Sequence, residues 1–279
     1  AAAAGAASAE AEESPGDDAT QPATPTAGGS ERALESEIPV LSDVTLRETG
    51  DVLATYGATM ETRDGEAAVE VLAVAPDIEV DDSLVDPFER AVGQWYNAST
   101  HPNVRTVHDW GTEPQPWIAT EDLSGVETLG DVHTSLSLER TVDVIGDVVE
   151  AVRNVGLYNG THQNLSLDCI HLLSEQDGYT AVVDDWGVER VVREHVDGEC
   201  VTPYTAPEQF GDSIEDEQTD VYGLGAVTYH ATTGGAPLPA DADSIRDSDI
   251  THANEYVQMP AQLDVAIMTA LSADPANRQ

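Results

Sequence analysis

The side chains best suited to chemistry in this sequence fall in two short blocks, THQNLSLDCIHLL (161–173) and VVDDWG (182–187). They bring an imidazole at His162, an amide at Asn164, a hydroxyl at Ser166, a thiol at Cys169, a second imidazole at His171 and a carboxylate at Asp185. A carboxylate can hold magnesium, but a single one seldom does so without phosphate oxygens beside it. Asn164 is a neutral amide, which can donate and accept hydrogen bonds but cannot serve as a general base. Cys169 offers soft sulfur, poorly matched to magnesium. With Cys200 it lacks the spacing of a metal site, so both cysteines read as reduced loop thiols.

Such residues need a frame to hold them. From residue 40 to 123 the pattern has period two, in DVLATYGATME, EAAVEVLAV and PWIATED, with a turn at Asp64-Gly65 and one helical stretch near Pro87 to Ala98. After Leu129 the period becomes helical, with Val142, Ile145, Val148, Val149 and Val152 on one face, then a two-strand insert, then further helices. This predicts an α+β fold of two lobes: a small antiparallel sheet with one helix (40–123) and a larger, mostly helical part (124–279), with a cleft between them. Residues 1–39 are Ala, Glu, Ser, Pro, Thr and Gly with almost no large apolar side chain, a composition expected to form a disordered acidic linker. The chain starts without Met and stops inside a helical pattern, so the last helix is expected to be cut short, with further domains in a longer protein.

The 279 residues carry 53 Asp or Glu against 11 basic residues, all of them Arg, for a net charge of -42. That charge repels itself across a Debye length of about 8 Å in ordinary buffer and is tolerable when molar salt shortens it to about 3 Å. The acids alternate with apolar runs such as AVEVLAVA, unlike a disordered chain, which points to a salt-adapted, cytoplasmic and archaeal protein. So acidic a surface excludes nucleic acid and anionic lipid as partners. No apolar run is long enough to cross a membrane, and the alanine-rich start lacks the features of a signal peptide.

The two blocks are followed by TPYTAPEQF, TDVYGLGAVTYHATTGGAPL and ALSADPANR, and preceded by HPNVRTVHDWG. In order and spacing, over about Leu46 to Arg278, this series resembles the Ser/Thr protein kinase family. The resemblance implies a bilobal fold and a site built for phosphoryl transfer from ATP, largely by positioning and charge neutralisation. It also implies which parts are missing. The family's third-strand lysine is Glu70, in AAVE; with no lysine in the chain, only Arg could substitute. The paired glutamate of the small-lobe helix is Ala91, and the catalytic loop reads His162-Gln163-Asn164-Leu165-Ser166-Leu167-Asp168-Cys169, so the base is Asn164, the lysine Ser166 and the second metal ligand Cys169. Of the metal set Asp185 alone survives, as a magnesium contact or as an ordered turn. The glycine-rich loop falls at Asp51 to Gly57 and keeps only its last glycine and Tyr56. The nucleotide cleft would be lined by Gly57, Ala68, Glu121, Leu123 and His171, which replaces an aliphatic residue.

Architectural residues are retained. By resemblance Trp95, His162 and Trp186 stack between the lobes, Asp220 holds the catalytic-loop backbone, and Glu208 pairs with Arg278. The activation segment VERVVREHVDGEC has no Ser, Thr or Tyr, its phosphate-reading arginine is Gln163, and Thr202 is structural. Two functions are therefore expected to compete: a pseudokinase acting as a signalling scaffold for protein partners, with no cofactor or at most weak ATP and magnesium, and a divergent active kinase or other ATP-dependent transferase.

Overall fold

The computed structural model describes residues 27–62, 65–158, 160–198, 200–210, 215–247 and 249–278. Its elements run α1 (Ala27–Glu37), β1 (Leu41–Thr49), β2 (Leu53–Thr62), β3 (Gly65–Val74), α2 (Asp82–Ala98), β4 (Val107–Gly111), β5 (Trp117–Glu121), α3 (Leu129–Val132), α4 (Leu138–Gly156), β6 (Ile170–Glu175), β7 (Gly178–Val183), α5 (Val188–Asp197), α6 (Glu217–Thr233), α7 (Ala242–Asp247) and α8 (Ala261–Ala270). The five-stranded antiparallel sheet has the order β1-β2-β3-β5-β4, and β6 and β7 form a separate hairpin. This is the two-lobed α+β architecture that the periodicity predicts.

Strand alternation divides the small lobe. Val69, Val71 and Ala73 of β3 face outward into a cluster with Tyr56, Met60 and Trp117, while Val74 faces inward with Ile118 and α2 residues Leu84, Phe88, Val92 and Trp95. The inner cluster continues into the large lobe through α4 and the β6-β7 hairpin, so one core joins both lobes. Helix α2 begins at Asp82, earlier than the helical stretch expected near Pro87, because the Asp81 carboxylate accepts the Ser83 amide and caps it.

Three expectations are corrected. The linker expected over 1–39 holds helix α1 in its last third; residues 1–26 lie outside the described residues. Leu34 and Ile38, one turn apart, bury against Leu41 and Val44 on the outer face of the sheet. The Glu31 and Glu35 carboxylates accept the Leu46 and Asp43 amides of edge strand β1, at 2.8 and 3.2 Å. On α4 the buried stripe is Thr141, Val144, Val148, Ala151 and Val155, and Val142 faces solvent. Finally, α8 closes at Ala270 and is followed by a single 3-10 turn at Pro275–Asn277, so the final stretch is not a helix. Part of the expected turn at Asp64-Gly65 lies outside the described residues; Gly65 opens β3.

Candidate functional site

The catalytic-loop block and the DDWG block meet at the floor of the cleft. Asp220, near the start of α6, accepts the backbone amides of His162 (2.8 Å) and Gln163 (2.7 Å). Burial drives its pKa up to about 6, while those two amides favour its charged form. His162 is fully buried with its ring tilted against Trp186, 4.8 Å between centroids. Its Nδ1 accepts the Asn164 amide, which leaves the proton on Nε2, 3.6 Å from the Cys169 sulfur. Burial lowers the His162 pKa to about 4, so the ring is neutral near pH 7. Trp95, from α2, is also buried and donates its indole N–H to the Arg105 carbonyl.

The backbone of this floor is bent sharply, with positive φ at Gln163 (60°), Asp185 (67°) and Trp186 (26°). Gly187 follows at φ 79°, where an added Cβ would stand 3.0 Å from the His162 carbonyl oxygen, so only glycine fits.

Asp185 has both oxygens engaged. One accepts the Glu189 amide in the first turn of α5, at 2.7 Å, and the other accepts the Asn164 side-chain amide, at 2.7 Å. Loss of hydration pushes its pKa up to about 7, and the charges of Glu189 and Asp184 add to that rise. Asn164, where a base would stand, is thus a hydrogen-bond donor to the residue expected to hold metal. The Cys169 thiol is buried, accepts the Ser166 amide and donates to the Ser166 carbonyl, both at 3.2 Å, and burial holds its pKa far above the usual range. It closes a turn. Among the described residues no three His, Cys, Asp or Glu side chains are placed to hold a metal ion together.

The upper part of the cleft is governed by Arg105, a residue the sequence reading did not select. Its guanidinium donates to Glu70 (2.7 Å), to Asp184 (2.9 Å) and twice to the Glu121 carbonyl (3.1 and 2.8 Å), and it is 1% exposed. Asp184 also meets His171 Nε2 at 2.7 Å. Burial alone would raise the Asp184 pKa; His171 and Arg105 outweigh it and hold the carboxyl below its usual value. Nδ1 of His171 has no hydrogen-bond partner among the described residues. Arg47, from β1, reaches Asp122 with both terminal nitrogens (2.7 and 2.8 Å) and Glu70 at 3.2 Å, and so keeps the Asp122 carboxyl well below the carboxylate range. Glu70 therefore does not face the cleft as a bare anion; two arginines neutralise it. The signal in the sequence was a charged residue inside the apolar run Val104 to Val107.

Gly57 is corrected outright. The β1-β2 connection is the tight turn Gly50 to Val52, and Gly57 lies in the middle of β2, paired with Glu70 of β3. A Cβ there would collide with the Arg47 guanidinium, at 2.5 Å from Nε, so this glycine makes room for an arginine. Tyr56 points to the outer cluster. Ala68 is exposed, Leu123 is buried with its carbonyl accepting the Val126 amide, and Ala91 packs against the inner core.

The activation segment forms helix α5, bracketed by left-handed Gly187 and Gly198. Val188 and Val192 enter the inner core, and α5 packs on α2, where Ser83 Oγ and His195 Nδ1 are 3.3 Å apart. Arg193 reaches Asp51 in the β1-β2 turn at 3.6 Å. Arg190 is buried between Glu194, Glu215 and the Gln163 carbonyl. Thr202 hydrogen-bonds Thr205 and the Tyr204 amide within its own turn. Glu208 and Arg278 form a bidentate pair under the large lobe.

These residues do not fit a magnesium nucleotide. The carbonyl of Glu121, at the end of β5 where the chain passes from the small lobe to the large (the hinge), is taken by Arg105. The position of the family's lysine holds a glutamate already paired with Arg105, and Asp185 is committed to a helix amide and to Asn164.

No protein-family model matches the chain. Serine/threonine-protein kinase PknB of Mycobacterium tuberculosis is 30% identical over 237 residues, 76% of this chain and 36% of that protein. The PknB of Mycobacterium leprae is 29% identical over 271 residues, 86% of this chain and 41% of that protein. The match thus spans well under half the length of these relatives. Among solved structures, the PknI kinase domain of Mycobacterium tuberculosis superposes with a TM-score of 0.67 at 18% identity, over 86% of this chain and 91% of that one. Fold, motif order and sequence similarity agree: this chain is a protein-kinase-like domain related to bacterial serine/threonine protein kinases.

Proposed function

We propose that this domain is a pseudokinase, a binding module that presents the kinase fold to protein partners as a signalling scaffold and does not transfer phosphate. The Asn164–Asp185 hydrogen bond carries the reading. It places an amide where proton transfer needs a carboxylate, and it commits the one remaining metal-binding carboxylate to that amide and to α5. Phosphoryl transfer depends on base, cation and metal acting together, so their combined replacement removes the reaction and not merely part of its rate.

The names of the relatives favour a second reading, a divergent active kinase using Asp185. Incubation with labelled ATP and magnesium in molar KCl separates the two. No label on the domain or on generic protein substrates is expected. Turnover by the unaltered domain, abolished by Asp185→Ala, would establish the second reading instead.

The charge of -42 supports adaptation to high salt in a cytoplasm, and it disfavours nucleic acid as a partner. The relatives named above are bacterial and lend the archaeal expectation no support. No described helix is long and apolar enough to cross a membrane.

A further inference from the structure

We propose that Arg105 is a built-in occupant of the cleft, closing the two lobes on each other where a nucleotide would otherwise bridge them; this deepens the non-catalytic reading and rests on it. The groups it joins belong to different parts of the molecule. Glu70 is on β3 of the small lobe, Glu121 ends β5 at the hinge, and Asp184 follows β7 in the large lobe. One side chain contacts all three.

The alternative role for a cationic group here is to hold phosphate, and the geometry argues against it. Four N–H···O contacts run from the guanidinium to Glu70, Asp184 and the Glu121 carbonyl, and almost none of the side chain reaches solvent. No donor faces outward to meet a phosphate. An entering purine would have to displace Arg105 from the hinge carbonyl and leave two acids short of their cation.

The backbone around Arg105 continues the closure. Its amide donates to the Val183 carbonyl at 2.9 Å, the Val183 amide donates to Asn103, and the Asn103 side chain donates to Ala181 at 2.8 Å. The Trp95 indole holds the Arg105 carbonyl from the α2 side. Arg105 is thereby fixed at both ends: its backbone is tied to Val183 in the large lobe, and its guanidinium spans Glu70 and Glu121 of the small lobe and Asp184 of the large one. The ion pair at the top of the cleft has inverted polarity relative to the one the kinase resemblance implies: the anion sits on β3, and the cation comes from the segment entering β4.

The test is amide hydrogen exchange in molar KCl on the unaltered domain and on the double variant Glu70→Gln with Arg105→Gln. In that variant Arg47 keeps Asp122, while Asp184 loses Arg105 and keeps the His171 hydrogen bond. Exchange at the Arg105 and Val183 amides is expected to rise about tenfold or more, with the α6 amides unchanged. Calorimetric titration with ATP and magnesium should show no binding to the unaltered domain at millimolar concentration. Should the double variant not fold, Arg105→Lys, which keeps the charge and loses the fork, is expected to accelerate the same amides less strongly. Unchanged exchange in the folded variants, or ATP binding by the unaltered domain with Arg105 amide protection intact, overturns the proposal. Phosphotransfer by the unaltered domain would instead sink the non-catalytic reading on which it rests, so the two failures are told apart.

Discussion

Replacing Arg278 by Met tests how the large lobe is held together. The Arg278 side chain is fully buried, donates to both oxygens of Glu208, and also donates to the carbonyls of Ser272 (2.7 Å) and Gln218 (2.9 Å) while lying 5.0 Å over the Tyr222 ring. Truncating one member of a buried pair strands the other, at a cost of about 3 to 5 kcal/mol. Against a total stability of about 5 to 15 kcal/mol that is a large share. At about 2 to 4 °C per kcal/mol for a domain of this size, the expected fall in Tm is about 6 to 20 °C. The double variant Glu208→Met with Arg278→Met removes the stranded charge and should recover about half of the loss. The unpaired carbonyls and the Thr219 hydroxyl that Glu208 accepts still cost about 1 to 2 kcal/mol. Circular dichroism melts in molar KCl, where surface pairs are already screened, isolate this buried contribution. A fall below about 2 °C for Arg278→Met, or a double variant no more stable than the single, would refute the reasoning.

Four further outcomes are expected. With 53 acids against 11 arginines, the Tm should fall steeply as KCl is lowered from molar to tens of millimolar, and a flat profile would sink the high-salt reading. Asn164→Asp alone should yield no phosphotransfer, because Glu70, Ala91 and Cys169 stay as they are; label on a protein substrate would contradict this. Asp185 has its folded pKa raised to about 7 from an unfolded value near 3.8, so its contribution to stability is full below about pH 4 and is lost as pH rises through 7. Asp185→Asn should accordingly be more stable than the unaltered chain at pH 8 and lose that advantage by pH 4, which paired urea melts across that range would reveal or exclude. Leu34→Ala should cost about 2 to 5 kcal/mol, measurable by the same melts, whereas a helix α1 that did not pack would make it neutral.

The lobes and their order were legible because strand and helix periods differ clearly in this sequence. Helix α1 was not, since only Leu34 and Ile38 mark it within an acid-rich segment, and its remaining anchors are glutamates that bond strand amides. Helix α5 carried a readable signal, Val188, Val191, Val192 and Val196 at helical spacing between two glycines. The kinase resemblance places an activation segment there, which implies phosphorylation sites and not a packed helix. In the cleft, identities such as Asn164 and Cys169 could be read position by position, but partners could not. Glu70 looked like an isolated anion because Arg105 is 35 residues away and Arg47 is 23, and only the fold brings them together. Gly57 was misplaced for a related reason: a glycine beside an aromatic suits a phosphate loop and a strand crossed by a guanidinium equally well, and sequence alone does not distinguish them.

The inverted pair at the top of the cleft also bears on ancestry. A chain descended from an active kinase cannot return by the path it came, because restoring a lysine at Glu70 would set a second cation against Arg105 and leave both beside Arg47. Removing Arg105 first would strand Glu70 with only the half-exposed Arg47 and leave Asp184 to His171 alone. Each single step back is expected to cost stability, by setting like charges together or by stranding a buried acid, so the charge reversal acts as a ratchet. On the non-catalytic reading proposed above, descendants of this sequence can vary its surfaces one substitution at a time, whereas a lysine at position 70 needs several changes together.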